Sequence, residues 1–433
     1  MKSKIVFLLV ILSLTGCMGS NSGSGEAVMD QIAREYLFLE LSMGLHDAGH
    51  VDAYFGPGDI QDQVNGTRLA VDEIAERLRT LQQRIDDLPD TTDAMKQMRI
   101  DGLTGRLLAL ETRLAMLMGE HFSFDEESRR LFGAAAPDHD AAHFEAILEQ
   151  IDALVGGKGP LSGRVAAFRD QFVVPTGKLD AVFNAAIAEC RRRTLLHIAL
   201  PANESFTLEY VNDKPWSGYN WFKGNAQSLI QINTDLPILI NRAVDLGCHE
   251  GYPGHHTFNT LLEENLVADR GWSEFSLYPL FSPQSLIAEG SGNYGIELAF
   301  PGEERIAFER DVLFPLAGLD SANADRYYEL LALLAQLDYA GNEAARDYLN
   351  GDISRGEAVD WLVSYALTSP GRSRQRTDFF DTYRSYVINY NLGKDIVRNW
   401  VERDHAGNEQ RWDRFEQLLS SPMTAADLRT RDD

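Results

Sequence analysis

The chain has 433 residues, 44% hydrophobic and 24% charged, enough for one large core or two lobes of one fold. Its 65 acidic and 40 basic residues give a net charge of −25, which argues against nucleic acid or an anionic membrane surface as partner. Cationic or neutral substrates remain compatible with that balance.

The N-terminus reads as an export signal. Lys2 and Lys4 precede the apolar run Ile5 to Leu12, which is too short to span a bilayer as a mature helix. Leu14-Thr15-Gly16-Cys17 follows and resembles a bacterial lipobox. Residues 1–17 are therefore expected to be a lipoprotein signal peptide, with Cys17 left as the lipid-modified first residue. Met18 comes next, a pattern that in a Gram-negative host would sort the protein to the periplasmic side of the outer membrane. Residues 18–27, rich in Ser and Gly, read as a flexible tether. The rest divides into an N-terminal helical lobe, 28–200, and a second, catalytic helical lobe, 201–433, within one continuous fold.

Helical periodicity dominates the body. Ile74, Leu78, Leu81 and Ile85 form one stripe; Leu103, Leu107, Leu110, Leu114 and Leu117 form another. Further helices are expected near 140–155, 178–199, 324–340 and 377–391. Ser354 and Glu357 have capping-box spacing. Strand character is confined to Phe206–Val211 and Ile230–Asn233. Between them Lys214 to Phe222 is rich in turn formers and aromatics. A strand here could hold an extended substrate at a sheet edge, with Tyr219, Asn220 and Asn233 as substrate-binding candidates. Thr234-Asp235-Leu236-Pro237 reads as a helix start, and that helix would reach His249. Cys190 and Cys248 are the cysteines left in the mature body. A disulfide is open to them in an exported protein, and Cys248 reads as a small buried residue.

The chemistry concentrates in His249-Glu-Gly-Tyr-Pro-Gly-His-His256. The common zinc-peptidase pattern H-E-x-x-H puts two imidazoles on one helix face, with the Glu as general base. Here the fourth residue after His249 is Pro253, and the next histidines, His255 and His256, come six and seven residues on. Six residues of straight helix rise roughly 9 Å, too far for two imidazoles to share an ion at about 2.1 Å. Either the motif binds no metal or the backbone breaks, and Gly251, Pro253 and Gly254 are the residues that permit a break. A third ligand is expected from another element, with Glu289 the best candidate. Ser282 and Pro283 can open its helix, and Gly290, Gly292 and Gly295 indicate close approach to other backbone.

The chain resembles the bacterial family catalogued as domain of unknown function eight-eight-five, many of whose members are predicted lipoproteins. The resemblance rests on Gly49 to Pro57, Trp216 to Trp221, His249 to His256, Glu289-Gly and the segment around Pro370-Gly371. That family in turn looks like the helical zinc peptidases that include thimet oligopeptidase, angiotensin-converting enzyme and thermostable carboxypeptidases. The resemblance implies a mainly α, zincin-like metallopeptidase fold with a small β-hairpin or sheet beside the active-site helix. It implies one Zn2+ held by His249, His255 and Glu289, because those peptidases favour a small residue before the second histidine, as Gly254-His255 provides. His256 is the alternative ligand, and Glu250 is the general base.

Tyr383, Tyr386 and Tyr390 fall on one face of the expected 377–391 helix. Tyr386 or Tyr390, or an N–H of the 229–233 strand, would steady an oxyanion. Arg384 or Arg372 could pair with a substrate carboxylate. The reading is a lipid-anchored zinc metallopeptidase acting on peptide or amide substrates. Its rivals are a non-catalytic zinc-stabilised peptide-binding lipoprotein and a zinc amidohydrolase acting on N-acyl amino acids.

Overall fold

The structure, a computed structural model, describes residues 22–429. The expected signal peptide, lipobox and Cys17 lie outside those residues. The first helix, Ser22–Gly44, begins inside the segment expected to be a tether, so residues 22–27 are helical. The buried anchors Met29, Ile32, Tyr36 and Leu37 fix this helix, and adding turns to an existing helix costs little. Among the described residues no helix is long and apolar enough to cross a membrane.

The two leucine and isoleucine stripes pack as their spacing predicts. Ile74, Leu78, Leu81 and Ile85 are buried on the Val71–Asp86 helix, and Leu103, Leu107, Leu110 and Leu114 on Ala94–Leu117. Leu117, at the end of that helix, is exposed instead. With the first helix these residues form a small core closed by Leu277. A larger core joins the helices between 124 and 194 to the C-terminal half. Ser354 and Glu357 form the expected capping box.

Strands are few. Strand β1, Val51–Tyr54, pairs antiparallel with β5, Leu277–Pro279, with a bulge at Asp52. The other sheet has the order β2-β4-β3, built from β2 (Ser205–Val211), β3 (Gly218–Phe222) and β4 (Gln227–Asn233). The mainly α expectation with a small sheet beside the histidine-bearing helix therefore holds. The aromatic, turn-rich segment is itself a strand, β3, and it occupies an edge. The 229–233 segment lies in the centre, parallel to β2 and antiparallel to β3, so its N–H groups face sheet partners on both sides.

Four expected helices depart from their bounds. The 178–199 helix spans Leu179–Thr194. The 324–340 helix stops at Ala335, and Ala340–Asn350 begins after a turn. No helix starts at Thr234: Asp235 accepts the backbone N–H groups of Asp213 and Lys214, and Asn233 accepts that of Asp235. Those side chains staple a loop, and the helix begins at Arg242. The 377–391 helix breaks at Arg384, whose φ of 52° and ψ of −126° cost on the order of 1–3 kcal/mol in a non-glycine residue. Pro370–Tyr383 ends there and Ile388–Glu402 follows. Buried Glu127 holds the break, accepting Arg384 Nε at 2.7 Å, Ser385 Oγ at 2.6 Å and Ser385 N at 3.2 Å.

Candidate metal centre

The short helix Arg242–Leu246 runs into a wide π-helical turn, Gly247–Gly251. Tyr252 is extended, its bond to Pro253 is cis, and a helix resumes at His255. Gly254 permits the return. A Cβ there would lie 1.9 Å from the His249 carbonyl oxygen and 2.5 Å from that of Cys248. Its N–H donates to the Cys248 carbonyl at 3.0 Å. The intervening residues are thereby folded out, as Gly251, Pro253 and Gly254 predict. Cys248 is buried and joined to Cys190 in a disulfide, which ties this turn to the Leu179–Thr194 helix.

His249, His255 and Glu289 come together. The two Nε2 atoms lie 3.1 and 3.7 Å from Glu289 Oε2, and the ligand atoms of all three lie within 4.8 Å of one another. Among the described residues no other group of three His, Cys, Asp or Glu side chains converges in this way. The imidazole rings stand nearly perpendicular, at 79°, with centroids 4.5 Å apart. Oε2 is buried and makes no hydrogen bond despite those neighbours. An orphaned carboxylate oxygen facing two imidazole nitrogens is costly by itself, and a divalent cation would satisfy all three donors.

Neighbouring groups fix the donors. His249 Nδ1 lies 3.0 Å from Asn293 Oδ1, and Asn293 Nδ2 donates to the Tyr390 carbonyl at 2.8 Å. That arrangement puts the ring proton on Nδ1 and leaves the Nε2 lone pair free. Tyr386 OH donates to Glu289 Oε1 at 2.8 Å. Burial opposes ionisation of Glu289, yet His249 and His255 hold its carboxyl well below the usual range. The glycines of the Pro283–Ala299 helix mark its contacts. A Cβ on Gly290 would lie 2.4 Å from Gly393 backbone, and one on Gly292 would lie 2.9 Å from the His249 ring.

Glu250 is 5% exposed and borders the edge strand: a Cβ on Gly218 would lie 2.8 Å from its Oε1. Burial, reinforced by the Glu289 charge, pushes its pKa up to about 7 against the pull of His255 and Arg242. Asn220 is buried and donates to the Glu250 backbone carbonyl at 2.6 Å, supporting the turn.

Other candidates lie elsewhere. His256 is fully buried with Nδ1 2.8 Å from Ser228 Oγ and Nε2 3.1 Å from Glu204 Oε2, so it points away from the trio. Tyr219 alternates with Asn220 onto the outer face of the sheet, against Trp216 and Trp221. Asn233 is occupied with the carbonyls of Lys214 and Trp216. Arg384 is bound to Glu127, which removes it as a substrate anchor. Tyr386 is committed to Glu289. Tyr390 is half-buried, and burial and the charges of Glu289 and Glu250 raise its pKa well above the usual value.

Sequence reasoning missed three participants. Asn293 stands four residues after Glu289, on the same helix face, and that spacing was the available signal. Glu127 carries no local signal. Asp52 sits at the bulge of β1, where burial and the charges of Glu289 and Glu250 push its pKa up to about 8. Asp52 lies within the Gly49–Pro57 segment that carries the family resemblance, but no local pattern there points to it.

No protein-family model matches the chain, the family named above included, and no curated protein matches it either. Solved structures do. A Colwellia psychrerythraea protein described as a "putative lipoprotein" aligns over 83% of this chain and 68% of its own, with TM-score 0.50 and 14% identity. A protein described as BsuCP aligns over 92% of this chain and 88% of its own, with TM-score 0.44 and 12% identity. The M32 carboxypeptidase from Deinococcus radiodurans R1 aligns over 92% and 91%, with TM-score 0.42 and 11% identity. At such identities the Colwellia likeness speaks to the fold alone.

Proposed function

We propose that the chain is a zinc-dependent hydrolase, a metallopeptidase that cleaves peptides outside the cytoplasm and is anchored to the cell envelope through lipidated Cys17. The observation that carries this reading is the convergence of His249, His255 and the orphaned Glu289 Oε2 beside the Glu250 carboxylate. Two imidazoles and one carboxylate are the donor set of catalytic zinc sites that keep a position open. Zinc, when bound, supplies a water of lowered pKa and a Lewis acid for the scissile carbonyl.

The protein's own groups do the rest. His249, His255 and Glu289 would hold the metal, while Asn293 and Tyr386 keep the first and third from turning. Glu250 takes the proton of the attacking water at its carboxylate and delivers it to the departing nitrogen. The free edge of β3 holds the peptide in extended form, and Gly218 lets that backbone come up to Glu250. Tyr390 donates to the carbonyl oxygen as charge develops there.

Purified protein should carry about one zinc per chain, in keeping with a single three-ligand site. Glu250→Gln should keep the metal and lose roughly 10²–10⁴-fold in turnover. Wild-type turnover in Glu250→Gln, or full activity in metal-stripped protein, would overturn the assignment.

A further inference from the structure

Natural sheet edges are blunted by charges, by proline or by a covering element. Strand β3, Gly218-Tyr-Asn-Trp-Phe222, carries no charge and no proline, and within its sheet it pairs with β4 alone. The bonds that flank it fix its phase. Asn233 N donates to the Ser217 carbonyl at 2.9 Å, and Lys223 N donates to the Gln227 carbonyl at 2.8 Å. Antiparallel bonding alternates along a strand, so Tyr219 and Trp221 turn their N–H and C=O groups to β4. Gly218, Asn220 and Phe222 turn theirs to the open side.

Side chains alternate as well. Asn220 reaches the Glu250 carbonyl on the inner face, and a Cβ on Gly218 would lie 2.8 Å from Glu250 Oε1. Tyr219 and Trp221 stand on the outer face, with ring centroids 4.6 Å apart, and Trp216 backs Tyr219 at 5.3 Å. Trp221 Nε1 donates to Gln231 Oε1 at 3.0 Å, and Gln231 Nε2 donates to Glu209 Oε2 at 3.1 Å, which anchors the polar edge of the indole. The rest of that ring stays in solvent, and Trp221 is 41% exposed. Two large rings held in place but left uncovered, on the strand that borders Glu250, lack a packing partner.

We infer that Tyr219 and Trp221 read two alternate side chains of the peptide substrate and select aromatic or branched apolar residues at both. The inference rests on the hydrolase reading above and names its substrate class. A peptide added antiparallel to β3, the more stable pairing, bonds to the backbone groups of Gly218, Asn220 and Phe222. Its residues opposite Tyr219 and Trp221 then form non-hydrogen-bonded pairs, in which Cα atoms come within about 4.5 Å and side chains lie closest. Both of those side chains point outward, onto the two rings. The residue between them, opposite Asn220, points inward. An antiparallel peptide runs from Phe222 toward Gly218. The bond under attack lies level with Gly218, beside Glu250, so both selected residues stand on its acyl side, two positions apart.

The test uses a hexa-alanine peptide between a fluorophore and a quencher, and its single phenylalanine variants at each position, with cuts located by mass spectrometry. In the wild-type protein phenylalanine should raise kcat/KM about three- to ten-fold at two acyl-side positions separated by one residue. Tyr219→Ser should bring the phenylalanine-to-alanine ratio close to one at the nearer position and keep the gain at the farther. Trp221→Ser should do the reverse. Each ratio is taken within one variant, so a change in folding or metal content cancels. Titration of the same peptides onto Glu250→Gln, which binds without turnover, should give the same pattern in affinity. Ratios near one at both positions, or gains that survive these substitutions, overturn the inference. A gain that depends on Tyr219 but lies on the amine side overturns it too. The expected pattern in affinity without any hydrolysis by the wild-type protein would instead remove the hydrolase reading and leave the edge assignment standing.

Discussion

His249 and Glu289 are each held from behind by a neutral side chain. Asn293 accepts from His249 Nδ1, and Tyr386 donates to Glu289 Oε1. Such partners set tautomer and orientation, and losing one weakens metal binding by about 10–100-fold. Asn293→Ala should therefore raise the zinc dissociation constant by that factor while Glu250 and the edge strand stay in place. Competition with a chromogenic chelator measures it. An unchanged constant would mean that His249 is oriented by packing alone, against the Gly292 backbone that its ring abuts. His256 shows the opposite fate for a neighbouring histidine. One residue on from His255, it turns about 100° round the new helix and is consumed by Ser228 and Glu204. Which of two adjacent histidines faces the centre is decided by helical phase after the break.

The elements that bring these side chains together are the Pro283–Ala299 and Ile388–Glu402 helices, which cross where Gly290 meets Gly393. With no Cβ on either side, the two backbones come close enough for Tyr386, just before one helix, to reach Glu289 on the other. Gly290→Ala would place a Cβ 2.4 Å from backbone atoms of Gly393, and backbone cannot step aside as a side chain can. The helices must part. The variant should lose on the order of 3 kcal/mol in denaturant unfolding, despite the gain of roughly 1 kcal/mol that alanine brings to a helix interior. Stability equal to wild type would show that the two helices can part there at no cost. Much of this layout was legible beforehand. The leucine stripes, the proline and serine opening of the Glu289 helix, and the Gly251–Gly254 break all follow from local rules. Three features were not legible, for one reason. The Arg384 break depends on Glu127, 257 residues away, the centre position of β4 depends on β3, and the bulge at Asp52 depends on the pairing of β1 with β5. Each is decided by a partner distant in sequence, which periodicity and capping cannot register.

Across the whole molecule, the turn that carries the site is tied to the rest through Glu204. Its side chain is 2% exposed and accepts from Tyr252 OH and from Arg191 Nε at 3.0 Å, with His256 Nε2 3.1 Å away. Burial would raise its pKa, but the bonds from His256, Tyr252 and Arg191 outweigh burial and hold it at about 2. In the unfolded chain a glutamate titrates near 4.3. A carboxyl depressed on folding stabilises the native state above the unfolded pKa and loses that contribution as pH falls through the folded one. Each tenfold change in proton affinity between the two states is worth about 1.4 kcal/mol, so Glu204 should contribute on the order of 3 kcal/mol at neutral pH. That contribution should fade between about pH 5 and pH 2. The comparison is between wild type and Glu204→Gln in urea unfolding at a series of pH values. The gap between them should be widest above pH 5 and narrow steadily toward pH 2. A gap that stayed constant over that range would mean that Glu204 acts through packing and not through its charge, and the link from the Leu179–Thr194 helix to the Tyr252–His256 turn would then rest on the Cys190–Cys248 disulfide.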